Sequence, residues 1–517
     1  MKDQEIDVAL HELTINQAEK LYREKSYEKV TELIAEIAAY ESEDYVGYLS
    51  SIRLEELLVK TGAKLFPTAN YKKKEAAQRK ILHIGTRFYN VGGHTQVALS
   101  WMKNDLNSAS YLLLLDQDRS LDLEINGPLY ELKEKTKIAK AAALRNFLEE
   151  HYFDVIVLHQ HMDDVVPTLA LWDLKEKGDS LVLFYNHANF RFSLGNIIAH
   201  KRVNICEGDV VISEKYRYPM DDQILYFILG EDLPKQLSVE KKLAHKATLN
   251  IEPTQKIFFT IGAAYKYTPF EALNFMQEWN TFLNENEHCT LIMVGCAPED
   301  FHKYCPNARK SPNLLLKGHV KNPLVYYQIA DYIVDIYPLQ TGLGTLNGLA
   351  HGLPPILPYQ ETVMVLGNEM NKLYPREIEN YLSYTNREAY FDFVKEEAST
   401  GTYKVWAADL IEQHIRSKFL LEPWRKQLEQ LYERSALTEK NFDRSKDVLN
   451  TSNASQKWYK FTASPHRSLK LITLAFRYNV PLSFKVLRLY FSLILKNRTL
   501  KGVGLKVFSN YLLGKYK

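Results

Sequence analysis

Short apolar runs of four to eight residues, alternating with longer helical stretches, constrain this 517-residue chain more than any other feature. From about residue 79, KILHIG, SYLLLL, FDVIVLH, SLVLFYNH and GDVVIS read as strands, each bounded by turn or polar residues. Between them, GGHTQVALSWMKND and TKIAKAAALRNFLEEHY carry helical spacing. Strands that are apolar on both faces and separated by helices imply a parallel sheet covered on both sides. A second series, QKIFFTIGA, CTLIMVG, NLLLKGHV, DYIVDIYP and LPPILP, begins near residue 255. The charged stretch EDLPKQLSVEKKLAHKATLNIEPTQK between the two series, with two prolines, reads as a connection. The pattern predicts two tandem Rossmann-like α/β domains, with chemistry at the carboxyl ends of their strands and a cleft between them.

Helical extensions flank this core. AEKLYREKSYEKVTELIAEIAAY and YLSSIRLEELLVKTG place apolar residues at three- and four-residue intervals, and no further repeat supports a solenoid. The expected organisation is a helical region over 1–75, an acceptor-side domain over 76–240 and a nucleotide-sugar-binding domain over 241–400. A helical segment over 401–455 and a basic helical tail over 456–517 complete it. That tail holds 13 Lys and Arg and no Asp or Glu, so the net charge of +2 conceals an acidic body. Basic helices interleaved with Leu, Phe and Tyr are attracted to anionic lipid at about 1 kcal/mol per charge. An anionic membrane surface is thus one expected partner of the tail. The chain's own acidic body, or a protein partner, is the other, and nothing in the sequence carries a nucleic-acid recognition motif. The four cysteines lack paired spacing, which fits a reduced compartment without disulfides or zinc. The acidic N-terminus does not read as a secretory signal, and no apolar run is long enough to cross a membrane. The expectation is a cytoplasmic protein, peripheral on the inner face of the cell membrane if the tail binds lipid.

The most informative segment is DYIVDIYPLQTGLGTLNGLAHGLPP, residues 331–355. A strand runs into a Gly/Thr loop that opens a small-residue helix, and backbone N–H groups at a helix N-terminus form an anion site. The residues alone are equally compatible with a plain strand-to-helix turn. The segment resembles the donor loop of GT-B glycosyltransferases, closest to the branch that includes the O-GlcNAc transferases. The resemblance implies that Thr341, Gly342, Gly344 and Thr345 face a pyrophosphate and that Asn347 stands at the ribose-binding position. There Asn replaces the acidic residue of that branch. Upstream, Gly262-Ala263-Ala264-Tyr265-Lys266 resembles the place where such enzymes set a basic side chain, Lys266, against the leaving diphosphate. Gly318-His319-Val320 resembles the loop that contacts the base.

The first domain carries a second set. Gly92-Gly93-His94-Thr95 at the first strand–helix junction resembles the glycine-rich loop of a bacterial GT-B subgroup. Leu158-His159-Gln160-His161-Met162-Asp163 ends one strand, and Asn186-His187-Ala188-Asn189-Phe190 ends another. The subgroup has Asn-His-Ala-Asp-His in the latter place, so Asn189 and Phe190 are departures, as is Ser193 in place of an aromatic. Gly93, Thr95, Asp163, Asn186 and Asn189 are the expected acceptor-side residues. Sugar transfer with inversion needs a base, and histidine titrates in the useful range; His187, His161 and His94 are the candidates. Retaining chemistry needs no such base and stays open.

Over roughly residues 80–370, the resemblance implies a hexosyl- or N-acetylhexosaminyl-transferase. It would use a nucleotide sugar, UDP-linked, on a glycan or lipid-linked acceptor in surface polysaccharide synthesis, with no resident cofactor and no metal. Three alternatives remain: a protein O- or N-glycosyltransferase, a nucleotide-sugar epimerase, and a non-catalytic GT-B subunit that binds an acceptor for a partner enzyme.

Overall fold

The computed structural model describes residues 2–69, 71, 77–90, 92–177, 179–362, 373–433, 447–462 and 467–480. The chain divides into two compact units: Met1–Ile205 with Asp209–Leu225 and Glu429–Lys517, and Cys206–Gly208 with Tyr226–Leu428.

The first unit holds seven strands: β1 Arg79–Gly85, β2 Ser108–Leu114, β3 Leu129–Glu131, β4 Val155–His159, β5 Leu181–Tyr185, β6 Lys201–Asn204 and β7 Asp221–Ile224. They lie in the order β3-β2-β1-β4-β5-β6-β7, and every pairing is parallel. The apolar runs of β1, β4 and β5 form the buried centre, as their composition requires. GDVVIS, expected as a strand, lies instead in the helix Glu207–Tyr216. The Asp209 carboxylate reaches back to the Ile205 N–H at 3.2 Å, which satisfies a donor just ahead of that helix and favours its start. The outer strands go to β6 and β7, which are polar in sequence.

Helices Lys2–Arg23, Tyr27–Glu43 and Ile52–Leu65 belong to this same unit. In the second of them Val30, Leu33, Ile34, Ile37 and Ala38 form the buried stripe expected of an amphipathic helix. Those residues share one continuous core with Leu82, Ile84, Ile156, Leu158, Val182 and Phe184 of the sheet. The expected separate region over 1–75 is therefore part of the body around the first sheet. Helix Arg467–Arg477 joins that core through Leu471, Ile472, Leu474 and Phe476. Lys470 pairs with Asp44 at 2.8 Å, and Arg477 pairs with Glu36. Of the two partners expected for the basic tail, its described portion meets the chain's own acidic helices. Residues 481–517, on which the membrane expectation also rests, lie outside the described residues.

The second unit holds β8 Lys256–Ile261, β9 Cys289–Val294, β10 Leu314–Leu316, β11 Tyr332–Val334 and β12 Pro355–Ile356. Their order is β10-β9-β8-β11-β12, again all parallel. The second unit begins at Tyr226 rather than at the expected residue 241, and its helix Val239–Thr248 lies in the stretch read as a connection. Most of the segment expected as a separate region over 401–455 divides at Leu428: helix Thr402–Lys418 belongs to the second unit and Glu429 onward to the first. Among the described residues no helix is long and apolar enough to cross a membrane, and the four cysteines are buried.

Candidate functional site

Two groups of residues stand at strand carboxyl ends, one in each unit. In the second unit β11 ends at Val334 and delivers Asp335 into the core. Its Oδ1 accepts from the N–H of Ile336 at 2.9 Å and of Thr341 at 3.2 Å, and its Oδ2 accepts from the Tyr374 hydroxyl at 2.7 Å. Burial pushes this carboxyl above its ordinary range, against the pull of those donors. The carboxylate thereby fixes both ends of the loop from residue 336 to 341. The loop closes at Gly342, whose φ of +58° only glycine adopts readily, and helix Leu343–Ala350 begins there.

That helix is pressed onto the sheet. A Cβ on Gly344 would stand 2.8 Å from Ile261 Cγ2 and 3.1 Å from Ile261 O. Helix geometry leaves its first N–H groups without partners inside the helix, beside the positive end of the dipole. Thr345 is fully buried, and its hydroxyl lies 2.8 Å from that of Thr341, so its contribution to the terminus is the backbone N–H. Lys266, on the short helix Ala264–Tyr267 after β8, donates from Nζ to the Gln340 carbonyl at 2.9 Å. Burial lowers its pKa, and the Asp335 carboxylate opposes that shift. Gly262 leaves no room for a side chain, with Thr341 Cγ2 2.9 Å from where a Cβ would be. A cation, a loop and a helix terminus thus stand together.

Asn347 donates from Nδ2 to the Leu343 carbonyl at 2.8 Å. A carbonyl can only accept, so the amide orientation is fixed and Oδ1 is the atom left for a ligand. In that orientation Asn offers an acceptor to a hydroxyl much as a carboxylate would. His319 is exposed after Gly318, whose φ is +60°.

In the first unit the parallel register sets Gly85 opposite His159 and Leu158 opposite Phe184. Side chains alternate along strands, so His83, His159 and Tyr185 share one face. His187, just beyond β5, completes the row. His83 Nδ1 lies 3.0 Å from His159 Nε2, and His159 Nδ1 lies 2.9 Å from His187 Nε2. Helix Gly93–Asn104 brings His94, whose Nε2 donates to the His159 carbonyl at 2.7 Å, and Trp101, whose ring meets His83 and His159 edge-on. The His94 and His187 ring centroids are 4.0 Å apart. Burial lowers the pKa of all four: His83 to about 3, His94 to about 4, His159 and His187 well below the ordinary value. All four rings are neutral near pH 7. His161 stacks on the exposed Tyr89 ring at 6.2 Å and 7° and lies 5.7 Å from His94.

The residues expected on the acceptor side divide. Gly93 is exposed and Asp163 is half-buried. Thr95 is buried, and its hydroxyl accepts from the Tyr89 N–H at 2.9 Å, holding the loop before the helix. Asn186 and Asn189 are buried too; Asn186 donates to Asn204 Oδ1 at 2.9 Å and Asn189 donates to Asp209. Their side chains hold the loop that carries His187.

Three contributors were not legible from motifs. Arg217 is buried and donates to the carbonyls of Leu49, Asn189 and Arg191 at 2.7–2.8 Å and to Ser193 Oγ at 2.6 Å, gathering the loop around His187. Thr86 donates to Asp164 and accepts from the His161 N–H at 2.9 Å. His83 anchors the imidazole row. Its signal was a histidine inside an otherwise apolar strand, two residues before a glycine.

No family model matches the chain, and no curated protein matches it. Among solved structures it is similar to a glycosyltransferase from Rickettsia africae, with 14% identity and a TM-score of 0.51 over 69% of this chain and 98% of that one. The fold is GT-B. An O-GlcNAc transferase variant from Thermobaculum terrenum shares 12% identity at a TM-score of 0.49, over 87% of this chain and 82% of that one. Anabaena HepE in complex with UDP and glucose shares 9% identity at 0.49, over 68% and 99%. In this GT-B chain, the helix terminus with Lys266 and the imidazole row each sit where a parallel sheet ends. Among the described residues no group of three or more His, Cys, Asp or Glu is arranged to hold a metal ion.

Proposed function

We propose that this chain is a glycosyltransferase that moves a sugar from a UDP-linked donor onto a glycan or lipid-linked acceptor in surface polysaccharide synthesis. The observation that carries the reading is the opening of helix Leu343–Ala350, where Gly342, the helix N-terminus and the Lys266 amine converge. A nucleoside diphosphate is the group such a site suits, because the dipole and the ammonium both favour its negative charge. Asn347 Oδ1 suits a ribose hydroxyl. The imidazole row supports the acceptor side. There, the acceptor oxygen would bond to the anomeric carbon as the bond from that carbon to the diphosphate oxygen breaks. The departing electron pair stays on the nucleoside diphosphate, and in an inverting transfer the acceptor proton passes to an imidazole.

The reaction so written uses no resident cofactor. It belongs in the cytoplasm, with residues 481–517, eight basic and none acidic, facing an anionic membrane surface.

The test is a thermal-shift screen of the full chain against UDP, GDP, CDP and dTDP and their sugars. A shift with the uridine family alone is the expected result. A folded protein that shifts with no nucleotide would sink the transferase reading and favour a subunit that binds an acceptor for a partner enzyme.

A further inference from the structure

The imidazole row constrains its own protons. Each nitrogen-to-nitrogen contact, His83 to His159 and His159 to His187, holds one hydrogen, and each neutral ring carries one. The row can therefore point only one of two ways. In one, every Nδ1 carries the hydrogen and His83 Nε2 is bare. In the other, every Nε2 carries it and His83 presents an N–H at the far end. His83 Nε2 is buried and meets no hydrogen-bond partner among the described residues. Among backbone groups, orphaned buried N–H groups are rarer than under-satisfied acceptors, and the same preference carried over to the ring favours the first direction. His187 then holds its hydrogen on Nδ1, the form that free imidazole side chains disfavour. His94 is fixed independently: the His159 carbonyl takes the Nε2–H, so Nδ1 is bare.

We infer that His187 Nδ1–H and His94 Nδ1 form a donor–acceptor pair that binds one neutral hydroxyl of a carbohydrate acceptor. His187 donates to the hydroxyl oxygen and His94 accepts its hydrogen. The ring centroids lie 4.0 Å apart, so both rings are within reach of one oxygen. Because both are uncharged, the pair offers a phosphate or carboxylate no counter-charge, and the bare His94 nitrogen faces its lone pairs, whereas a hydroxyl satisfies both rings. The Tyr89–His161 stack beside it supplies a flat aromatic surface of the kind that the C–H face of a sugar ring covers. His159 and His83 are positioning residues, setting the polarity of His187 without touching the acceptor. The assignment of the hydroxyl to a carbohydrate rests on the transferase reading; the polarity of the row does not.

The test is two-bond nitrogen–proton correlation spectroscopy of the full chain labelled with nitrogen-15 histidine, with signals assigned through His187→Gln and His94→Gln. The expected result is hydrogen on Nδ1 of His187 and on Nε2 of His94. His159→Phe cuts the row, so His187 should revert to the Nε2–H form while His94, bonded to a backbone carbonyl, keeps its own. A bare Nδ1 on His187 in the unmodified chain overturns the proposal, and that spectrum decides even if the Phe variant does not fold. So does a His159→Phe chain in which His187 stays Nδ1–H. Uridine diphosphate titrated into the same samples separates the two readings. Failure to bind it would remove the donor site and leave the polarity of the row standing.

Discussion

Replacing Lys266 with Met removes one charge and keeps the length of the side chain. In the free protein Nζ makes a hydrogen bond to the Gln340 carbonyl at 2.9 Å, and burial already disfavours its charged form. Those two effects oppose each other, so loss of the amine should change stability by less than about 1 kcal/mol, or about 2–4 °C in Tm for a unit of this size. Binding is another matter. If the amine meets a diphosphate, Lys266→Met forfeits a charge-assisted hydrogen bond of about 1.5–3 kcal/mol. That corresponds to a Kd weaker by about 10- to 150-fold. Calorimetric titration with UDP, UMP and uridine isolates the effect, because only the first carries the second phosphate. The loss should be largest for UDP and absent for uridine. An unchanged UDP affinity, or an equal loss for uridine, would refute the assignment of Lys266 to the diphosphate.

Two further outcomes follow from packing and burial. Gly344→Ala forces its new methyl against Ile261 at 2.8–3.1 Å, and should lower stability by about 1–3 kcal/mol in urea unfolding and weaken UDP binding as the helix terminus shifts. His83 is held neutral when folded, with its pKa lowered to about 3, whereas the unfolded side chain takes up its proton near 6.5. Its contribution is therefore complete above about pH 6.5 and lost as pH falls, by about 2 kcal/mol at pH 5. His83→Phe should flatten the stability curve between pH 7 and 5 by that amount, and parallel curves would contradict the buried neutral row.

The central strands were legible because burial on both faces leaves continuous apolar runs, as in β4, β5, β8 and β9. The outer strands of the first sheet were not. β6 reads Lys-Arg-Val-Asn, yet Lys201 and Arg202 are buried. Lys201 donates to the Leu431 carbonyl at 3.0 Å, and Arg202 pairs with Asp222 at 3.0 Å. A charged residue satisfied inside a protein looks, in sequence, like one at the surface. Arg217 escaped notice for the same reason. The site divides in the same way. Motifs drew attention to the Gly/Thr loop before helix Leu343–Ala350 and to three histidines near strand carboxyl ends, because glycines and histidines at such junctions are visible in order. The side chains of Asn186, Asn189 and Thr345 turn inward to hold loops, which depends on partners far along the chain. Only the bond from Asn347 Nδ2 to the Leu343 carbonyl reveals which of its atoms a ligand would meet.

The basic tail offers a sharper contrast, because the lipid and self-docking expectations make opposite forecasts for a chain shortened after residue 462. If residues 463–517 served only a membrane surface, their removal would leave the body as stable as before. The described part instead buries Leu471, Ile472, Leu474 and Phe476 in a core shared with helices Lys2–Arg23 and Tyr27–Glu43. Each such side chain contributes about 1.5–3 kcal/mol when fully buried, so the four together give about 6–12 kcal/mol before the entropy of ordering the helix is subtracted. The Gln17 amide, which donates to the Tyr478 carbonyl at 2.8 Å, and Asp44, buried beside Lys470, would also lose partners. The shortened chain should therefore unfold at clearly lower urea and expose apolar surface to a hydrophobic dye. A milder variant, Lys470→Met, keeps the apolar contacts and should cost less. If the shortened chain matched the full one in urea midpoint and dye binding, the helix Arg467–Arg477 would not be part of the folded body, and the lipid expectation would regain the whole tail.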